Sequence, residues 1–414
     1  MKNIPIKNLH IDKILFFLSI CFFSINHRIS VGLIATFTLL GIYSFFNERK
    51  LADVFTAIKN NWILLLSVMV VPIGFALTAI FHGQLDILIK ELDIPLRLLL
   101  IIPIAYYFSR HPISVEFFLV AFSTALILFV VMSLAENTGA RVALSYGVPI
   151  TMSNIVTLVS ISLFIVVMHN LNINKKYILF FCVAFLLSIY ANILTGSRAP
   201  WLVYIMFFSY VYSIYNFNFV YKFTFIVVTI FIFLSIDSIA NFTYSHRLLV
   251  TIDNLQCFIQ NPSSDCAISS IGTRLWLIYI GVKNFLENIL LGSGLDSSSI
   301  LIEESVKSGM IPSMPFYGHL HNDLIEFVSQ MGLIGLATFV FLNIGLLKIS
   351  YDFLNEMHGN FWAKAIISCI LIFLVMGLFQ SLFSHSIVVT AFSYLIGFYI
   401  GNAKYFAKEG NLYK

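Results

Sequence analysis

Apolar runs recur along the chain at about 14–26, 29–46, 62–81, 94–109, 114–134, 148–168, 177–195, 201–217, 223–240, 329–349, 361–381 and 386–401. Short polar segments separate them, and most approach the ~20 residues that an α-helix needs to cross a bilayer. The first run is short and ends at Asn26-His27-Arg28, which predicts a tight hairpin with the second. It does not read as a cleavable signal, because no small-residue cleavage site follows it and further runs do. One connection departs from the pattern. Residues 241–328 contain no span but include helical and turn-like stretches, so a cap on one face is predicted there. A connection of that length is usually functional. The pattern predicts an all-α polytopic membrane protein of about 12 transmembrane helices, with a helical cap loop between spans nine and ten. It divides as 1–240 (spans one to nine), 241–328 (cap) and 329–414 (spans ten to twelve with a tail).

Composition agrees. Apolar residues form 59% of the 414 positions, charged residues 11%, and mean hydropathy is +0.92. A soluble globule carries roughly 25% charged residues, far more than are available here. About a dozen spans of ~20 residues would use ~240 positions, close to the apolar total. A secreted disulfide scaffold, a disordered chain and a single-pass receptor with a large soluble domain are all excluded. The net charge of +4 is spread over loops without a polybasic block, so no nucleic-acid partner is expected.

The bases set the orientation. With a cytoplasmic N-terminus, fifteen of the 24 Lys and Arg residues fall on inner loops, and four of the nine outer ones lie in the long connection, where charge weighs little. Both termini are therefore expected inside. The split by type says more. Thirteen of sixteen Lys lie inside, whereas six of eight Arg lie outside. Retention needs only positive charge, but Arg adds a planar fork that grips phosphate oxygens in pairs. Interfacial snorkelling explains any one such Arg. A phosphate-binding surface explains the set better.

No GxxxxGK[ST] loop, GxGxxG turn or Asp-x-Asp pair is present, so no nucleotide machinery is expected. Three segments on the predicted outer face can carry chemistry. In Leu194-Thr195-Gly196-Ser197-Arg198-Ala199-Pro200-Trp201, glycine and proline break the helices around Arg198, whose charge at membrane depth marks either a functional group or a headgroup contact. In Ser270-Ile271-Gly272-Thr273-Arg274-Leu275-Trp276, Ser270 or Thr273 is expected to cap a helix whose N-terminus favours anions beside Arg274. In Tyr317-Gly318-His319-Leu320-His321-Asn322-Asp323-Leu324-Ile325-Glu326, His321 stands just before the tenth apolar core. Histidine is the natural base near neutral pH, with Asp323 or Glu326 placed to orient it, although a capping histidine has the same position. His319 and His321 lack a third ligand at metal spacing, so no metal site is expected. Cys257 and Cys266, nine apart in the cap, are expected to form a local disulfide in an oxidising compartment.

These residues resemble a family. His321-Asn322, nine residues, then Gly332-x-x-Gly335 is similar to the His-[Asn/Ser/Gln]-x9-Gly-x-x-Gly signature of the O-antigen ligases. Ser197-Arg198-Ala199 and Gly272-Thr273-Arg274-Leu275 look like that family's two essential arginine sites, and the order of spans and the long loop agree over essentially the whole chain. The resemblance implies a GT-C-like enzyme of the bacterial inner membrane with its active site facing the periplasm. It implies His321, Arg198 and Arg274 as catalytic residues, and Arg141 in the loop 136–147 as a substrate-binding residue; His319 and Arg97 are expected to bind substrate as well.

The implied reaction moves a glycan from undecaprenyl diphosphate to a sugar hydroxyl of lipid A–core, so the expected partners are those two lipid-anchored substrates and membrane lipids. The leaving diphosphate is already activated, so no cofactor is expected. Arginines suit the developing negative charge and a histidine suits the hydroxyl proton. Direct displacement at the anomeric carbon would invert it. A polymerase, or a ligase that glycosylates protein, would use the same donor with another acceptor. A secondary transporter is the rival from another class, but no repeat relates the two halves and the charges crowd one interface.

Overall fold

The computed structural model describes residues 8–48, 61–136, 142–169, 175–197, 199–214, 253–260, 269–313, 318–354 and 360–410. Its helices are α1 (Asn8–Ile25), α2 (His27–Glu48), α3 (Trp62–His82), α4 (Leu85–Glu91), α5 (Asp93–Leu96), α6 (Ile101–Phe108), α7 (Val115–Glu136), α8 (Pro149–His169), α9 (Lys175–Thr195) and α10 (Ala199–Ile214). After residues 253–260, also helical, come α11 (Ser270–Glu287), α12 (Ser297–Lys307), α13 (Asp323–Leu354), α14 (Asn360–Gly377) and α15 (Ser386–Gly410). No strand occurs among the described residues.

This is a multi-pass membrane protein. Six of the described helices are long and apolar enough to cross a bilayer: His27–Asn47, Trp62–His82, Val115–Glu136, Pro149–Met168, Asp323–Leu354 and Ser386–Tyr405. Phe180–Thr195 and Phe361–Gly377 are shorter apolar helices. The expected hairpin between the first two runs is present, turning at Asn26. The run at 94–109 is not one helix. Asp93–Leu96 is a single helical turn, Arg97–Leu100 is a 3-10 turn, and only Ile101–Phe108 is regular, which matches a stretch that carries Pro95 and Pro103 and starts at a charged residue. The predicted span at 223–240 lies outside the described residues.

Between helices in lipid, close packing and hydrogen bonds replace the hydrophobic drive. Gly397 and Gly401, one turn apart on α15, lie so close to α6 that a Cβ would meet the carbonyls of Ile101 and Ala105 at 3.0 and 2.7 Å. Aromatic rings fill the adjoining core, where Phe16 stacks on Phe398 at 4.7 Å and Phe118 on Phe122 at 4.0 Å. α8 and α15 are the most buried spans. Polar residues of α8 pair with neighbouring helices: Ser153 donates to Asn192 at 2.7 Å, and Asn192 donates to Thr157 at 3.2 Å and to Tyr204 at 2.8 Å.

One end of the bundle collects the predicted outer elements. α11 and α12 form a small cap with its own core of Leu277, Ile280, Ile302, Ile311 and Leu320. It rests on α13 and reaches the α3–α4 turn, where Gln84 accepts from Leu295 N–H at 2.8 Å and Lys90 pairs with Asp296 at 3.4 Å. Cys257 is disulfide-bonded, while its expected partner Cys266 lies outside the described residues.

Candidate active site

The site is built around a break in α13. Gly332 has φ 59° and ψ −138°, outside the helical region, so the helix ends there and restarts. A break of this kind strands backbone groups, which must find partners within the protein. They find them in the turn 288–294. Ser293 N–H donates to Ser329 C=O at 3.1 Å, Gly294 N–H to Gln330 C=O at 3.0 Å, and Leu333 N–H to Ile289 C=O at 2.8 Å. Asn284 of α11 adds its amide to Ser329 C=O at 2.9 Å. The fit is tight. A Cβ on Gly332 would meet Ile289 C=O at 2.5 Å, and one on Gly292 would collide with the backbone of Gln330. The Gly-x-x-Gly element therefore joins the cap to the membrane helices.

The first turn of α13 carries Asn322 as its cap, accepting from Ile325 N–H at 3.0 Å and donating to Leu378 C=O at 3.1 Å. The expectation that Asp323 or Glu326 orients His321 is corrected. Both carboxylates hold other groups. Asp323 accepts from Phe383 N–H at 3.1 Å. Glu326 accepts from Ser298 at 2.6 Å, Leu320 N–H at 2.6 Å, Gln330 at 2.6 Å and Ser381 at 3.4 Å. It ties α12, the histidine loop, α13 and the α14–α15 connection together. A carboxylate is the natural hub because it accepts at several lone pairs and donates nothing.

That scaffold holds the histidines. His321 has φ 55°, a left-handed conformation that a residue with a Cβ adopts at a cost of roughly 1–2 kcal/mol. The ring of His319 meets that of His321 edge-on, with centroids 4.3 Å apart, and is also edge-on to His385 at 6.1 Å. His385 belongs to the α14–α15 connection, where its ring nitrogen is in hydrogen-bond contact with the Gln380 amide. Burial pushes His321 down to about 3, helped by repulsion from His319, Arg274 and His385. Burial, with repulsion from His319, pushes His385 down to about 4, and burial also lowers His319. All three rings are neutral at neutral pH, and the lone pair of His385 at Nε2 is engaged by the Gln380 amide.

Arg274 lies one turn into α11, close enough to His321 to act on it electrostatically. The helix cap is Ser269, which accepts from Gly272 N–H at 3.2 Å, not Ser270 or Thr273 as expected. The correction is one of register. The residue that caps must be in extended backbone, as Ser269 is, and both alternatives are already helical.

Arg198 and Arg141 lie outside the described residues, but their flanks meet. Val142 N–H donates to Leu194 C=O at 3.1 Å, and Gly196 ends α9 with φ 64°. α8 spans the distance to the histidines: adjacent residues Ser153 and Asn154 bond to Asn192 of α9 and to Gln380 beside His385. Arg97 is committed to Asp93 at 2.9 Å and to Thr390 at 3.0 Å, on a segment packed against the Leu382–Ser384 turn. Among the described residues, no group of three His, Cys, Asp or Glu is placed to share a metal ion.

Sequence reading missed His385, Gln380, Asn154 and the Gly292-Ser293-Gly294 turn. The one available signal was the polar stretch Gln380-Ser381-Leu382-Phe383-Ser384-His385 between two apolar runs.

Comparison with known proteins bears on this end of the molecule. Residues 182–340, from α9 through the cap to the break in α13, match the family model described as O-antigen ligase. A protein of Haemophilus influenzae described as uncharacterized is 25% identical over 296 residues, covering 68% of this chain and 71% of that protein.

Proposed function

Because residues 182–340 belong to the O-antigen ligase family, whose members are membrane glycosyl-transferring enzymes, we propose that this protein transfers a glycan from undecaprenyl diphosphate to a sugar hydroxyl of lipid A–core. The observation that carries the reading is the meeting of His321 with Arg274 beneath the cap, at the break that the family's motif glycine creates. In this reading both substrates, being lipid-anchored, enter sideways from the bilayer on the periplasmic face of the inner membrane.

The acceptor oxygen attacks the anomeric carbon as its proton passes to a ring nitrogen of His321. The bond from that carbon to the diphosphate oxygen breaks, and the leaving diphosphate carries the electron pair. Arg274, with Arg198 assigned the same role from its motif, stabilises that charge with paired donors. Arg141 extends the basic surface for the donor. A neutral His321 is ready to accept the proton, and the arriving diphosphate, being negative, raises its affinity for it. Inversion follows from single displacement. An activated leaving group makes neither ATP nor a metal obligatory.

The acceptor separates this reading from polymerase and from protein glycosylation. The test supplies purified enzyme with lipid-diphosphate glycan and rough lipopolysaccharide, without ATP and with chelator. Capped lipopolysaccharide supports the ligase, and transfer only to a second lipid-linked glycan would replace it with a polymerase. In a deletion strain, rough core with accumulated lipid-linked polymer is the matching result.

A further inference from the structure

We infer that His385 is the third histidine of this site and a positioning residue for His319 and His321, itself held in place by Gln380 and Asn154. The inference rests on the transfer reading above and deepens it.

Geometry carries it. His385 sits 64 positions beyond His321, outside the recognised motif, yet the His319 ring neighbours both, with centroids 4.3 Å from that of His321 and 6.1 Å from that of His385. Nε2 of His385 meets the Gln380 amide, whose Oε1 accepts from Asn154 Nδ2 at 3.0 Å. Asn154 and Gln380 are 1% and 2% exposed, so water does not compete for this chain of contacts. A buried amide pair fixes a ring's orientation without lending it charge. Elsewhere a carboxylate takes that second-partner role and favours imidazolium. Here that would set a positive charge beside the base.

The surroundings make this matter. Among the described residues, the titratable and charged groups around His385 and its neighbours are His319 and His321 from the loop, Arg274 from α11, Asp323 and Glu326 from α13, and the Asp93–Arg97 pair from the segment packed on the Leu382–Ser384 turn. Both α13 carboxylates are taken up by hydrogen bonds. From α8 the neutral Asn154 arrives. When His321 takes the hydroxyl proton, the new charge forms beside His319, and a charged His385 would oppose it. A neutral, correctly turned His385 lets it form.

The experiment compares wild type with Gln380→Glu, His385→Asn and His321→Ala, as purified full-length protein, by initial rates over pH and thermal unfolding. Gln380→Glu keeps shape and adds the carboxylate that the native site avoids. It should draw a proton onto His385. Its kcat is expected to fall about tenfold near neutral pH and to recover as pH rises and that proton leaves, across a range where wild type is flat. KM for the donor should change less than threefold, since the diphosphate does not touch His385 in this reading. His385→Asn should lose about tenfold in kcat without acquiring that pH dependence. Unfolding temperatures near wild type make these readings direct. If one variant does not fold, the other decides. Flat pH profiles and full kcat in both variants, with His321→Ala inactive, would overturn the role of His385 and leave the transfer reading intact. An active His321→Ala would overturn the transfer reading itself.

Discussion

At the scale of the residue, the site rests on neutral histidines beside a permanent cation. His321→Ala is expected to lower transfer by roughly 10²–10⁴, the usual contribution of a positioned base, with membrane insertion and donor binding retained. His319→Ala should cost less, because it packs against His321 and does not hold the motif position. Transfer rates of the purified variants decide it, and a near-normal His321→Ala removes the base. Arg274→Lys and Arg198→Lys test the clamp. Lys keeps the charge but loses the planar fork, so each variant is expected to lose about a hundredfold in turnover, with a smaller change in donor affinity. Full activity in both would reduce these arginines to interfacial anchors. The pH dependence has a definite sign. His321, pushed down to about 3 in the free protein, works as a base only above its pKa, so kcat/KM should stay flat as pH falls from 7 to about 5. Bound diphosphate favours imidazolium, so the acid limb of kcat should appear at higher pH than that of kcat/KM. Coincident limbs would mean that the donor's charge does not reach the histidine.

At the scale of the element, the broken helix α13 is the decisive piece. Its two halves are held by the 288–294 turn through hydrogen bonds that exist only because Gly332 leaves the helical region. Gly332→Ala adds a Cβ at φ 59° and against Ile289 C=O, a combined strain of roughly 2–5 kcal/mol. A clear drop in unfolding temperature and loss of transfer are expected together. Gly83→Ala is the comparison, since it has φ 66° but open space around its Cβ, and it should lose less. Equal losses would place the effect in the backbone angle alone. The short helices of 85–100 make a second point. A run that hydropathy reads as one regular helix is built from a helical turn, a 3-10 turn and a short α-helix, with Arg97 tied to Asp93 and Thr390 and the following helix α6 packed on glycines of α15.

At the scale of the whole molecule, cap, histidine loop and helix breaks gather at one end of the bundle, and the other end has a different set of contacts, such as Ile113 N–H to Asn402 at 3.0 Å. Orientation in the membrane is therefore one binary choice. The Lys bias predicts that the cap faces the periplasm. Exposed Lys307 and Asp352 stand at opposite ends. In a background without reactive native thiols, cysteine at 307 should react with a membrane-impermeant reagent in cells with a permeabilised outer membrane. Cysteine at 352 should react only after lysis. The reverse pattern would invert the topology and remove access to a periplasmic acceptor.

The sequence by itself determined the helical class, most helix limits, and the presence of His321 at the mouth of a span, because hydropathy and chain breakers act locally and sum along the chain. The correspondence is close in α3, predicted at 62–81 and observed at Trp62–His82. It is looser at 94–109, where hydropathy gives the apolar run but not its division into a helical turn, a 3-10 turn and a short α-helix. Partnership was decided by tertiary structure alone. Asp323 and Glu326 stand beside His321 in sequence, yet they bond to Phe383, Ser298 and Ser381, because a helical turn sends neighbouring side chains to different faces. Asn154 and Gln380 are 226 positions apart and meet only when α8 packs against the α14–α15 connection. No periodicity or spacing encodes such a contact, since it depends on the geometry of the whole bundle, and it is the contact that brings His385 into the site.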